Sequence, residues 1–108
     1  MGRIKDMLRV GGENVAAAEV EAFLLQHPAV KQAVVVAEPD ARLGEVGVAF
    51  VELKAGLSVA DEQLLTYCRR GLASFKVPRR VCFVDEWPMS GTGKIQKFLL
   101  AEQVRAGG

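Results

Sequence analysis

Two apolar runs in the middle of the chain constrain the fold most. Val30–Ala37 (VKQAVVVA) and Val46–Leu53 (VGVAFVEL) are rich in β-branched residues and almost continuously apolar. Short runs of that composition, bounded by turn residues, read as buried strands. Between them Glu38–Glu45 (EPDARLGE) carries the Pro, Asp and Gly of a loop. The segments on either side have helical spacing. Val15–His27 sets Val20, Phe23 and Leu24 at i, i+3 and i+4, leaves Glu19 and Glu21 to face water, and stops at Pro28. Ser58 with Asp61 resembles a capping box, with Asp in place of Glu or Gln. It opens a helix that runs to Arg70 and buries Leu64, Leu65 and Cys68.

The ends add smaller elements. Ile4–Val10 reads as a short strand or hairpin arm, turned by Gly11-Gly12-Glu13-Asn14. Gly71–Pro78 is irregular, Val81–Val84 (VCFV) is a third short strand, and Ile95–Val104 a last helix with Ile95, Phe98 and Leu99 on its apolar side. The expected class is α+β: a small, mainly antiparallel sheet of about three strands with helices packed on it, plus a short N-terminal hairpin.

Composition excludes several roles. The chain has 108 residues, the size of one domain, and 14 Lys+Arg against 13 Asp+Glu. That balance argues against a protein built to coat nucleic acid or an anionic membrane. No apolar stretch approaches the ~20 residues of a membrane span, and the N-terminus has no signal-peptide core. A cytoplasmic location is expected. Cys68 and Cys82 are far apart and His27 is the one histidine, so no metal set is expected and both thiols read as free and buried.

One stretch carries chemistry. In "WPMSGTGKIQKFLL", Trp87–Leu100, a lysine follows a glycine-rich loop. A P-loop would need glycine at position 88 and Ser or Thr after the lysine; Pro88 and Ile95 stand there, which rejects it. Two readings stay open on local sequence: a tight turn with Lys94 solvated, or a catalytic lysine on a flexible loop that offsets charge at a phosphorus centre.

Two motifs together carry a resemblance. "GRIKDMLRVGGENVAAAEVE", Gly2–Glu21, and "PMSGTGKIQK", Pro88–Lys97, stand at opposite ends of the chain. In that order and separation they resemble the two signature motifs of the C-terminal domain of acyl-adenylate-forming enzymes, the AMP-dependent synthetase and ligase family. The resemblance extends through "HPAVKQAVVVAEPDARLGE" and "LASFKVPRRVCFVDEWP". The branch most resembled is the fatty-acid type of carboxylate–CoA ligase.

The resemblance implies a domain spanning residues 1–108, with a hinge motif at 2–21 and a catalytic-lysine loop at 88–97. It implies that the large N-terminal domain, carrying the ATP and carboxylate pockets, lies outside this chain, and that Met1 marks a domain cut. ATP, with Mg²⁺, and CoA are then substrates, and this domain is inactive alone. Lys94 matches the lysine of adenylation, Lys5 the hinge, and Arg3 an arginine that holds the nucleotide. Gly11, Gly12 and Glu13 match the loop that faces the thiol. Lys76, Arg79 and Arg80 match a basic neighbourhood for the CoA nucleotide. Ser90, Lys97 and Ala17 depart from the Thr, Arg and Pro common at these positions. Two alternatives stand beside this: loading of a carrier-protein thiol, and a non-catalytic interaction module.

Overall fold

The computed structural model describes residues 7–105. Strands β1 (Met7–Val10) and β2 (Glu13–Ala16) lead into helix α1 (Ala17–Leu25). Strands β3 (Val30–Asp40) and β4 (Gly44–Leu53) follow, then helix α2 (Asp61–Gly71) and a 3-10 turn (Ser74–Lys76). Strand β5 (Arg80–Phe83) and helix α3 (Lys97–Arg105) complete the order.

The sheet is mainly antiparallel, in the order β2-β1-β4-β3, with β5 added to β4. β3 lines one edge of β4 from Val30↔Leu53 to Asp40↔Gly44. The other edge of β4 is shared: Val10 of β1 pairs with Gly44, and β5 then runs parallel beside Val48–Val51. The small sheet and the hairpin expected from the sequence thus form one five-stranded sheet, with the third short strand in parallel pairing.

Side chains of β3 and β4 alternate between two cores. Ala33, Val35, Ala49 and Val51 pack with Val20 and Leu24 of α1 and with Leu64, Leu65 and Cys68 of α2. Val34, Val36, Val48 and Phe50 pack with Leu100 and Val104 of α3. Helices therefore cover both faces. This explains why the central β4 is continuously apolar instead of alternating. Burial pushes the Cys68 thiol up to about 11, whereas Cys82 is half-buried.

Several boundaries differ from the sequence reading, each for a tertiary reason. Residues 38–40 and 44–45 continue the ladder instead of looping, because the Asp40 carboxylate closes the turn by accepting from the backbone N–H of Arg42 and Leu43. Val15 lies in β2 opposite Leu8, so α1 starts at Ala17. The first residue before α2 is Ala60, whose N–H donates to Gln63 Oε1 at 2.8 Å; Ser58 plays no part in that cap. In α3 the inward residues are Leu100 and Val104, while Phe98 is 59% and Leu99 40% exposed. Ile95 packs on the same core from the loop before the helix.

α2 meets α1 through two rings tilted at 33°, Phe23 and Tyr67, with centroids 4.8 Å apart. α2 ends on Gly71, where an added Cβ would overlap the Phe23 ring. Gly71→Ala should therefore lower stability by about 1–3 kcal/mol, the usual cost of overpacking. Urea unfolding checks this: the midpoint should fall at unchanged slope, and an unchanged midpoint would mean that Phe23 yields freely.

Candidate functional site

The sequence-predicted residues fall into two groups. The first surrounds the tip of the β1–β2 hairpin. Gly11 and Gly12 sit at φ +58° and +89°, the double positive φ of a two-residue primed turn, which glycine adopts without strain. The Gly11 N–H donates to Leu43 O at 2.8 Å, tying the tip to the β3–β4 turn. A Cβ at Gly11 would press on Leu43, while the space beside Gly12 is open to 4 Å.

Beside this tip lies a cleft of about 340 Å³, lined by Gly11, Glu13, Leu43, Gly47, Phe75 and Arg79. It forms where β4 exchanges one neighbour, β1, for another, β5. The structure thus brings Gly11 and Glu13 together with Arg79 around one cleft.

The basic neighbourhood is not a field of bare positive charge. Lys76 Nζ pairs with Glu19 at 2.9 Å, Arg79 with Asp40 at 2.9 Å, and Arg80 with Glu38 at 3.3 Å. Asp40 also holds the β3–β4 turn. The Leu43 N–H, and next the Arg79 guanidinium, hold its carboxyl below the usual range. Partly exposed pairs of this kind are weak, because solvent screens them. They orient the cations without burying them. The acidic partners come from distant segments and have no local signal in the sequence.

The second group is the Lys94 loop. Trp87 and Ile95 flank it and pack on the α3-side core. The Trp87 indole N–H donates to Glu52 Oε1 at 2.7 Å. Met89 and Ile95 form an antiparallel bridge, and the Gln96 N–H donates to Pro88 O at 2.7 Å. Inside this base the loop closes on itself. The Ser90 N–H donates to Lys94 O at 2.8 Å, and the Gly93 N–H to Ser90 O at 3.0 Å. Ser90 Oγ accepts from the N–H of Thr92 and of Lys94 at 3.3 and 3.2 Å.

Of the two forms the sequence left open for this loop, the backbone takes the tight turn: Gly93 supplies φ +85°, and Ser90 supplies the internal acceptor. Lys94 is exposed. Among the described residues no carboxylate pairs with it, in contrast to Lys76, Arg79, Arg80 and Lys97.

The two groups do not meet. The cleft belongs to the core under α1 and α2, the Lys94 loop to the core under α3, on the opposite face of the sheet. Arg80 is not at the cleft: it lies on the α3 side, where its Nη1 donates to Cys82 Sγ beside Gln103 and Val104. Arg3 and Lys5 lie outside the described residues. Among the described residues no three His, Cys, Asp or Glu side chains converge as a metal site would require, and no helix is long and apolar enough to cross a membrane.

Residues 19–94 match the family model of the AMP-binding enzyme C-terminal domain. The chain is 44% identical over 104 residues to the mitochondrial medium-chain acyl-CoA ligase ACSF2 of Mus musculus, covering 96% of this chain and 17% of that protein. It is 44% identical over 108 residues to the 2-methylpropanoate–CoA ligase CCL4 of Humulus lupulus, covering 98% and 19%. Among solved structures, a fatty acyl-CoA synthetase of Mycobacterium tuberculosis superposes with a TM-score of 0.87 at 39% identity, covering 97% of this chain and 21% of that one. The chain thus spans about a fifth of the length of the proteins it matches.

Proposed function

The chain belongs to the AMP-binding enzyme C-terminal domain family, and from that premise we propose that it is the moving C-terminal domain of an ATP-dependent carboxylate–CoA ligase, of the fatty-acid type. Residues 1–108 form the domain, and its partner is the large domain that carries the ATP and carboxylate pockets.

One observation carries this reading: the Lys94 loop and the glycine-tip cleft occupy opposite faces of one sheet. A single pocket on a neighbouring domain can meet only one face at a time. Two reaction steps at that pocket then require rotation of this domain between them. Lys5 is the proposed pivot, and Arg3 the contact to the nucleotide.

In the first step a carboxylate oxygen bonds to the α-phosphorus of ATP and pyrophosphate leaves. Lys94, unpaired by acids among the described residues, brings a compact positive charge between the two reacting anions. In the second step the CoA sulfur bonds to the acyl carbon and AMP leaves. Gly11, Gly12 and Glu13 then flank the thiol arm, and Lys76 and Arg79 bind CoA phosphates, with Arg80 reaching them around the outer strand β5 from the α3 side. No set of acids in the described residues fits Mg²⁺, so that ion belongs with ATP on the large domain and no step here passes through it. The cytoplasmic location stays within this proposal, since one relative is named as mitochondrial.

The test is pyrophosphate release by the full-length enzyme against a panel of carboxylic acids, followed by thioester formation with CoA. Acid-dependent release and a CoA-dependent product are expected. No release with any acid would overturn the reading. Loading of a carrier protein without reaction at CoA would overturn the choice of thiol.

A further inference from the structure

One oxygen of Glu21 accepts two hydrogen bonds from different layers of the fold. The Val35 N–H of β3 donates to Oε2 at 2.8 Å, and so does Lys97 Nζ, also at 2.8 Å. The sequence placed Glu21 in water; the structure places it at the sheet edge. β3 is an outer strand, so its outward N–H groups have no strand partner and need another acceptor. Glu21, on α1, supplies one.

Lys97 reaches the same oxygen from the other face. It is the first residue of α3, which packs on the core opposite α1. A cation there opposes the positive end of the helix dipole, so the position is favourable only with an anion beside it. Side-chain exposures of 27% for Lys97 and 20% for Glu21 leave the pair partly shielded from water. Charge-assisted contacts of this kind are stronger than open surface pairs.

This pair fastens the start of α3 to the edge of the sheet. Little slack separates that anchor from Lys94. Gln96 is bonded to Pro88, Ile95 is packed, and Ser90 holds both the N–H and the C=O of Lys94. A displacement at Lys97 is therefore passed to the turn that presents Lys94.

We propose that Glu21 is a positioning residue for Lys94, acting through Lys97: it sets where the adenylation lysine stands relative to the sheet, and hence to the large domain. This rests on the adenylation role proposed for Lys94. It assigns to the first step a carboxylate lying far from Lys94 in sequence, on the helix of the opposite layer.

The experiment uses the full-length enzyme with Glu21→Gln, which keeps an oxygen for the Val35 N–H and removes the Glu21 charge from beside Lys97. Lys97→Met removes the other partner. Each should slow acid-dependent pyrophosphate release by about ten-fold, the scale of losing one charge-assisted contact. Each should leave thioester formation from supplied acyl-adenylate unchanged, and the double variant should be no slower than Lys97→Met alone. In a Lys94→Ala background Glu21→Gln should cause no further loss, because there is no lysine left to misplace. Equal slowing of both steps, or the same ten-fold loss without Lys94, would make Glu21 a general structural residue and overturn the proposal. So would unchanged release in Glu21→Gln when Lys94→Ala abolishes it. If Lys94→Ala itself leaves release intact, the underlying reading falls, and this one with it.

Discussion

Lys94→Ala in the full-length enzyme should lower acid-dependent pyrophosphate release by about 10²–10³-fold, the usual loss when one preorganised charge-stabilising group is removed. Thioester formation from supplied acyl-adenylate should change by less than about three-fold, because a group used in one transition state is silent in the other. The geometry supports so large an effect. Lys94 is held at the end of a turn closed by Ser90 and seated on Trp87 and Ile95. Its side chain is exposed, and no acid among the described residues competes for it. A group presented in that way spends little energy on reorganisation when substrate arrives. Rapid-quench measurement of each half-reaction is the check. Equal losses in the two steps would return Lys94 to a structural role, and no loss in either would return it to a solvated turn.

Most of the layered fold was legible because it depends on periodicity. The continuous apolar runs of β3 and β4 announce strands covered on both faces. In α2 the Leu64, Leu65 and Cys68 stripe is all that the helix buries. Features that depend on long-range pairing were not legible. In α3, Ile95, Phe98 and Leu99 satisfy helical spacing as well as Leu100 and Val104 do. The choice is made by where the helix starts, and the closed loop before it delays that to Lys97. Nothing local in Val81–Val84 reveals that it adds to β4 in parallel.

The candidate site divides in the same way. Its glycines and Lys94 stand out by composition and spacing. The carboxylates that aim its cations, Glu19, Glu21, Glu38 and Asp40, look like ordinary solvated acids. Each acquires its partner only through the tertiary fold. The closed form of the Lys94 turn was hidden for a related reason. A Ser-Gly-Thr-Gly string is compatible with a floppy loop until Ser90 Oγ is seen accepting from two backbone N–H groups.

Gly12→Leu should produce the opposite split: thioester formation lowered by about 10²-fold, on the scale of a displaced reacting group, with pyrophosphate release within about three-fold of wild type. The hairpin tip explains why. Gly12 has φ +89° and no neighbour within 4 Å of an added Cβ. A side chain there costs backbone strain of about 1–2 kcal/mol but does not collide with the rest of the domain. It projects into open space at the hairpin tip, between two residues that line the cleft, Gly11 and Glu13, where the thiol arm is proposed to pass. Gly56 offers a matched control, since it has φ +78° and equally open surroundings in the turn between β4 and α2. Gly56→Leu bears similar strain away from the tip, and both half-reactions should stay within about two-fold of wild type, the margin that strain alone leaves when the native state stays populated. Thioester formation that tolerates Gly12→Leu as well as Gly56→Leu would remove the hairpin tip from the thiol path and leave its glycines explained by turn geometry alone.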